Sequence, residues 1–591
     1  MTMKSSLIKK ISVKISVVVF ILIFGTLTIF PLLLARNYEL SWIDAFIQYD
    51  PFLFFKAVFH RYFLLSVVQS FLVSVVFLTG LYFFTLRKVD RNIHGNARFA
   101  SDKEIEKFKN ANSGLVIGQH KGKLLRFPGQ QFVCLSAPTR SGKGVGIVIP
   151  NLLTQEDSMV ILDIPKFEAF TITSKYRKEV LKQEIYLFSP FLKSASKYNP
   201  LDYVDFNSDL ADIQLNAIAS IIYTGANPDD YFILQARELF IGIAWFVNTL
   251  IEETIISAPM SIASILKYST VVNEQPFEGY YKEAKMKSVP FPEEATLRIE
   301  RFLNTSENTR SSIKSSFEIP LAIFGTKIVA ENTDSSDFNL NDLRKHKMTI
   351  YVGVTLQELL QARTLINLFF SQLLVQNTLK LPEQDKTLKH ACVLLLDEFT
   401  SIGQLEILKK GSAFIAGYNL RMLTVFQSKS QVEEPPPAGY GKEGARSLIV
   451  NHACEIVYAP KEFEISEEYS KRLGYRDVID NTLSKNSRDI IHRNLNENKQ
   501  QRALMLPQEI RQLPFDKEII FIEGNLPILA NKAFYFSVPS LVSKLKTVSP
   551  SLARIQKPTK KDFEKAFQNN ETRVSMKALS RDNFDRNKDK K

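Results

Sequence analysis

Cysteine is scarce in this chain, with three among 591 residues: Cys134, Cys392 and Cys454. An odd number set singly in apolar runs builds no disulfide framework, and no CxxC or mixed His/Cys ligand spacing argues for a structural zinc. Reduced, buried thiols of a cytosolic domain fit this usage. Charge is missing from two long apolar stretches, 15–35 and 63–86. Neither carries an ionisable residue, so neither offers a path for ions or protons. Nothing in the chain supplies the nucleophile or metal cluster of a small-molecule enzyme. Bulk disorder is excluded as well, because 45% of the residues are apolar and 23% charged. A chain of this length exceeds one hydrophobic core and is expected to form three or four units.

The uncharged stretches are 21 and 24 residues long. As helices each exceeds the roughly 30 Å of a bilayer's hydrocarbon layer. The first outlasts the roughly 7–15 apolar residues of a signal peptide, and no small-x-small cleavage site precedes Arg36. A buried core helix is the rival reading for the second. Lys4, Lys9, Lys10 and Lys14 precede the first stretch, and Arg87, Lys88 and Arg91 follow the second. Between them, Arg36, Lys56 and Arg61 are balanced by Glu39, Asp44 and Asp50. The positive-inside rule then makes 1–14 cytoplasmic, 15–35 and 63–86 transmembrane helices, and 36–62 a short loop outside. Net charge is +13, and 546–591 holds thirteen Lys/Arg against six Asp/Glu, a surplus of seven. That basic tail reads as a disordered, solvated end, with nucleic acid or anionic lipid as alternative partners.

Short apolar runs at 131–137, 159–163, 184–188, 349–354, 393–397, 422–427, 455–458 and 519–522 alternate with helix-like segments. They are too apolar to show a period of two, which predicts strands covered on both faces in an α/β fold with a mostly parallel sheet. The first run leads into Ala137-Pro138-Thr139-Arg140-Ser141-Gly142-Lys143-Gly144. A phosphate-binding loop reads G-x-x-x-x-G-K-[ST]: its backbone N–H groups wrap phosphates, its Lys reaches the outer ones and its hydroxyl holds Mg²⁺. Gly142 and Lys143 fit, while Ala137 replaces the first Gly and Gly144 the hydroxyl residue. The setting favours the loop nonetheless, because a strand enters and a helix-like segment, 145–153, leaves. A chance Gly-Lys-Gly turn is the alternative.

Another apolar run, 391–396, closes on Asp397-Glu398. Two acids at a strand's C-terminal edge suit a metal-holding Asp and a water-activating Glu. Gln427 closes the run before it, placed either to sense a γ-phosphate or simply to make a strand-end hydrogen bond.

In this order the segments resemble the coupling proteins of bacterial type IV secretion and conjugation systems, the TraG-like ATPases. The resemblance is carried by His94-Gly95-Asn96-Ala97-Arg98-Phe99-Ala100, by 137–146 with Ile149-Pro150-Asn151-Leu152, by Thr333-Asp334-Ser335-Ser336-Asp337-Phe338, by Leu396-Asp397-Glu398-Phe399 and by Phe426-Gln427-Ser428. It covers roughly 10–540, and the family's loop shares both departures from the strict motif. The resemblance implies a RecA-like nucleotide-binding domain (87–204 and 317–545) with an inserted all-α domain (205–316), assembled as a hexamer on the inner membrane with 36–62 in the periplasm. It implies ATP and Mg²⁺ as cofactors, with Pro138, Thr139, Arg140, Ser141, Gly142, Lys143, Gly144 and Val145 around the nucleotide. Lys143 would neutralise the transferring phosphoryl group, Asp397 hold Mg²⁺ with help from a hydroxyl such as Ser141, Glu398 activate water and Gln427 report the γ-phosphate.

The same resemblance implies relaxase–single-stranded DNA complexes, effector proteins with their adaptors, or both, as substrates passed to a type IV secretion channel. Two segments depart from the family pattern. Asp163-Ile164-Pro165-Lys166-Phe167-Glu168 has one residue more than Asp-x-Lys-Gly-Glu, and Ala416 stands where an arginine finger is first sought, leaving Arg421 as the nearest candidate. A non-hydrolysing membrane receptor and a chromosome-segregation type of double-stranded DNA translocase are the competing readings.

Overall fold

The computed structural model describes residues 95–575 other than 166, 226–228, 273–274 and 485–493, and, ahead of these, Val68, Leu72 and Val76. The chain divides into two units, Met1–Ile93 and His94–Lys591. The candidate spans 15–35 and 63–86 fall outside the described residues apart from those three positions, which are helical and exposed. Among the described residues no helix is long and apolar enough to cross a membrane.

The strands are Leu115–His120 (β1), Lys123–Phe127 (β2), Phe132–Ser136 (β3), Ser158–Asp163 (β4), Glu184–Phe188 (β5), Val271–Val272 (β6), Gln275–Pro276 (β7), Met348–Gly353 (β8), Cys392–Leu396 (β9), Leu420–Phe426 (β10), His452–Val457 (β11), Tyr475–Ser484 (β12), Asn494–Ala503 (β13), Lys517–Ile522 (β14) and Ile528–Asn531 (β15). Eleven of them form one sheet in the order β2-β1-β15-β14-β11-β3-β10-β9-β4-β8-β5. From β11 to β5 every pair is parallel. Beyond β11 the flank β14-β15-β1-β2 is antiparallel. All eight apolar runs expected as strands lie in this sheet.

The lack of visible alternation has a direct cause. Along β9, Cys392, Leu394 and Leu396 enter one hydrophobic core while Val393 and Leu395 enter another on the opposite face. Both faces are dry, so every position is apolar, and each such side chain contributes about 1.5–3 kcal/mol relative to exposure. The first core is shared with the helices that fill the interval between β5 and β8: Ala211–Ile222, Tyr231–Glu252, Ile262–Tyr268, Phe277–Met286, Glu293–Leu303 and Glu307–Leu321. A boundary at 316 cuts the last of these, whose Phe317 and Leu321 are buried with the rest. The short β6–β7 hairpin interrupts the helical series.

The second core is covered by the helical segments after β3 and β4 and by the chain's C-terminal part. Helix Glu168–Glu179 is held to the sheet by Arg177, fully buried and donating to Thr349 Oγ1 and to the carbonyls of Leu152, Gln155 and Asp157. Burial among these neutral acceptors lowers its pKa to about 10.

The expectation of a disordered tail from 546 onward is corrected as far as 575. Helix Lys560–Gln568 buries Phe563 and Ala566, and Lys175 donates to the carbonyls of Val548 and Glu571. The sequence there is basic on its outer face but carries Leu552, Phe563, Ala566 and Val574 for the core, so overall charge concealed an amphipathic pattern.

Candidate nucleotide-binding site

Of three neighbouring parallel strands, β3 and β10 end level with one another and β9 ends two residues short of them. Ser136 pairs with Phe426, and Thr424 with Leu396. The segments that follow therefore emerge along one edge of the sheet, spaced by about 4.8 Å per strand. After β3 the Ala137 N–H donates to the Phe426 carbonyl at 3.0 Å, and the chain turns with Ser141 N–H on the Pro138 carbonyl at 3.2 Å. Arg140 and Gly142 take positive φ, +61° and +89°. Only glycine adopts the second without strain. Gly144–Val148 then forms a wide helical turn that continues as helix Ile149–Thr154.

Lys143, in this loop, reaches the acids that follow β9. Its Nζ lies 3.0 Å from Asp397 Oδ1 and also pairs with Glu398 Oε1. Consecutive strand residues face opposite ways, yet both acids meet the same ammonium. Glu398 makes this possible by taking φ +63°, a left-handed turn costing about 1–2 kcal/mol for a residue with a β-carbon. From the end of β10, Gln427 Nε2 donates to Glu398 Oε2 at 2.9 Å and to Oε1 at 3.1 Å. Lys143, Asp397, Glu398 and Gln427 are thus brought together.

The electrostatics are those of a site short of positive charge. Burial raises Asp397 to about 6 despite Lys143 beside it. Asp163, ending β4 one strand further along, is raised to about 7, again by burial. The Ala169 and Phe170 N–H groups, bonded to its carboxylate at 3.0 and 2.8 Å, oppose that rise. Burial alone would lower Lys143, but Asp397 and Glu398 outweigh it and raise its pKa. Asp397 Oδ1 and Ser141 Oγ are buried without a hydrogen-bond partner, the close approach of Lys143 to the former being out of line for one. The Asp397 carboxylate beside Glu398, with the unbonded Ser141 hydroxyl on the loop that carries Lys143, supplies hard oxygen donors that fit a divalent cation such as Mg²⁺.

Arg421, the candidate arginine finger, does not join this cluster. It occupies the second position of β10, at the far end of that strand from Gln427, is 9% exposed and donates to Gln130 Oε1 at 3.1 Å. The 333–338 segment packs elsewhere, with Lys197 on Asp334 and Asn199 N–H on Ser336 Oγ.

Lys532, just after β15, escaped the sequence reading. Its Nζ donates to the Ser141 carbonyl at 2.8 Å and lies 3.7 Å from the centre of the Tyr458 ring. Burial lowers it to about 8, and Glu518 and Asp516 resist that fall. A lone Lys after a short strand carries no motif.

A phosphate loop and a pair of strand-end acids at the carboxyl edge of a parallel sheet define a nucleotide-binding domain of the P-loop class. Residues 96–565 match the family described as type IV secretory system conjugative DNA transfer, and the chain belongs to that family of coupling proteins. Its relatives include the conjugal transfer protein TraG of Escherichia coli, 24% identical over 515 residues, 79% of this chain and 80% of that protein. VirD4 of Rhizobium radiobacter is 29% identical over 467 residues, 75% of this chain and 64% of that protein. The fold is shared with the conjugative coupling protein TrwB. Its unbound form has TM-score 0.54 and 16% identity over 75% of this chain and 96% of that one. TrwB is also known in complex with ADP and Mg²⁺, again at TM-score 0.54, covering 75% of this chain and 95% of that one.

Proposed function

We propose that this protein is an ATP-hydrolysing coupling protein, anchored in the bacterial inner membrane by 15–35 and 63–86, with both termini cytoplasmic. It assembles as a homohexamer that receives relaxase–single-stranded DNA complexes or effector proteins and delivers them to a type IV secretion channel. The observation that carries this reading is the meeting of Lys143, Asp397, Glu398 and Gln427 at one sheet edge.

The residues divide the work of phosphoryl transfer. Lys143, released from the acids, binds the outer phosphates while loop N–H groups hold the inner ones. Asp397 and the Ser141 hydroxyl are the groups that would hold Mg²⁺, which when bound neutralises charge on the phosphate oxygens. Glu398 takes the proton from the attacking water as the new O–P bond forms and the bond to the β-phosphate oxygen breaks. Gln427 keeps the Glu398 carboxylate aimed. Single-stranded DNA would be gripped through its phosphates with little base preference.

The test is ATP turnover by the purified full chain, with and without single-stranded DNA, beside Lys143→Ala. Turnover in the parent and none in the variant is expected. Nucleotide bound without turnover by the parent would make the protein a non-hydrolysing receptor instead.

A further inference from the structure

The phosphate loop has two different walls. On the β10–β9 side stand Asp397, Glu398 and Gln427, which draw Lys143 toward them. On the other side of β3 lie β11, β14 and β15. Because β14 runs antiparallel to β11, the residues preceding β14 and those following β15 come out at the same sheet edge as the loop. Two of these residues are aromatic: Phe515 before β14, and Phe534 after β15.

Their rings touch the loop itself. A β-carbon placed on Gly142 would stand 3.3 Å from Phe515 Cζ and 3.3 Å from Phe534 Cε1. The two rings stack on each other with centroids 5.7 Å apart and 22° between planes, and Phe534 stacks in turn on Phe536 at 5.4 Å and 9°. Lys532 Nζ sits 4.7 Å from the Phe515 centroid while bonding the loop at Ser141. Phe515 is therefore held in place on its inner side, yet it remains 61% exposed. A large apolar ring fixed against a phosphate loop and open to solvent offers a π-face one residue from Lys143.

We propose that Phe515 is the platform on which the base of the bound nucleotide stacks. The inference rests on the nucleotide reading above and deepens it. With the terminal phosphates drawn to Lys143, on the side where Asp397 and Glu398 stand, a nucleotide lying across the loop carries its base toward the β14–β15 side, where Phe515 waits. Stacking uses the face of a base and not its edge, so this wall accepts adenine and guanine alike. The ligand class is a purine nucleoside triphosphate without strict base selection.

The experiment compares equilibrium binding of ATP, GTP and inorganic tripolyphosphate to the full chain in detergent, for the parent, Phe515→Ala, Phe515→Trp and Lys143→Ala. Loss of the ring should weaken ATP and GTP by the same factor, about tenfold, the usual effect of removing a stacking aromatic. Tripolyphosphate, which has no base, should bind Phe515→Ala as it binds the parent, and Phe515→Trp should keep full affinity for both nucleotides. Unchanged ATP affinity in Phe515→Ala overturns the inference, and so does an equal loss for tripolyphosphate, which would make the ring a prop for the loop. A parent that binds neither ATP nor tripolyphosphate, or a Lys143→Ala chain that binds both like the parent, sinks the nucleotide reading itself and this inference with it.

Discussion

One nitrogen of Gln427 bridges both oxygens of Glu398, at 2.9 and 3.1 Å, so the carboxylate is fixed in rotation before any substrate arrives. If Glu398 is the general base, Glu398→Gln should lower turnover by about 10²–10⁴-fold, the usual worth of a positioned base, while nucleotide affinity stays close to the parent's. Gln427→Ala frees the carboxylate without removing it. Its effect should be smaller and fall on kcat more than on KM. Steady-state kinetics beside equilibrium nucleotide binding check both, and full turnover in Glu398→Gln would remove it from the mechanism.

Two glycines of the phosphate loop should respond oppositely to the same substitution. Gly142 has φ +89°, and a β-carbon there would press on Phe515 and Phe534. Gly142→Ala is expected to destabilise by about 1–2 kcal/mol from the left-handed conformation alone. At Gly144 a β-carbon meets nothing within 4 Å, and the residue is helical. Gly144→Ala should be stabilising by about 0.4–1 kcal/mol through the unfolded chain. Gly144→Ser fits the same space and supplies the hydroxyl that the strict loop motif carries, so Mg²⁺-dependent nucleotide binding should saturate at lower Mg²⁺. Denaturant midpoints and a Mg²⁺ titration read these out.

The parallel half of the fold was legible because its strands are buried on both faces and stand out as apolar runs. The antiparallel flank was legible only at β14, whose run 519–522 is apolar. β1 and β2 carry His120, Lys123 and Arg126, and β15 is four residues long, so no run announces them. β12 and β13 pair only with each other and are mostly polar, which hides them from an apolar-run search. The same division governs the site. Lys143, Asp397, Glu398 and Gln427 each follow a buried parallel strand and could be read in sequence. Lys532 and Phe515 lie just outside the strands of the antiparallel flank, in no motif, and only the sheet order brings them to the loop.

Asp163 should impose a pH dependence on stability. Its carboxyl is raised from 3.8 to about 7 in the folded chain, chiefly by burial. A raised folded pKa means that the native state binds the proton more tightly than the unfolded chain does. The resulting stabilisation is full below about pH 4 and is lost as pH rises through 7. Asp163→Asn cannot titrate. The stability of the parent relative to this variant should therefore fall as pH rises from about 5 to 8, by at most about 1.4 kcal/mol per unit. Parallel curves of unfolding free energy against pH for the two chains would contradict it.

The C-terminal segment up to 575 should behave as part of the nucleotide domain. Helix Glu168–Glu179 starts beside the site, where its first N–H groups bond Asp163, and its outer side holds the end of the chain. Thr572 Oγ1 donates to the Thr171 carbonyl, and the Val574 N–H to Ser174 Oγ at 3.0 Å. Phe563 is fully buried and packs edge-on against Tyr535, whose N–H bonds the Val145 carbonyl of the phosphate-loop helix at 3.1 Å. A chain ending at 575 should melt like the full protein. One ending at 545 exposes that core and should lose stability and nucleotide affinity together. Phe563→Ala isolates the packing, with an expected cost of about 3–5 kcal/mol. If both truncations and Phe563→Ala unfold with the parent's midpoint, the segment is an appendage; if only the shorter chain and Phe563→Ala fail, the end of the chain is holding the helix that orients Asp163.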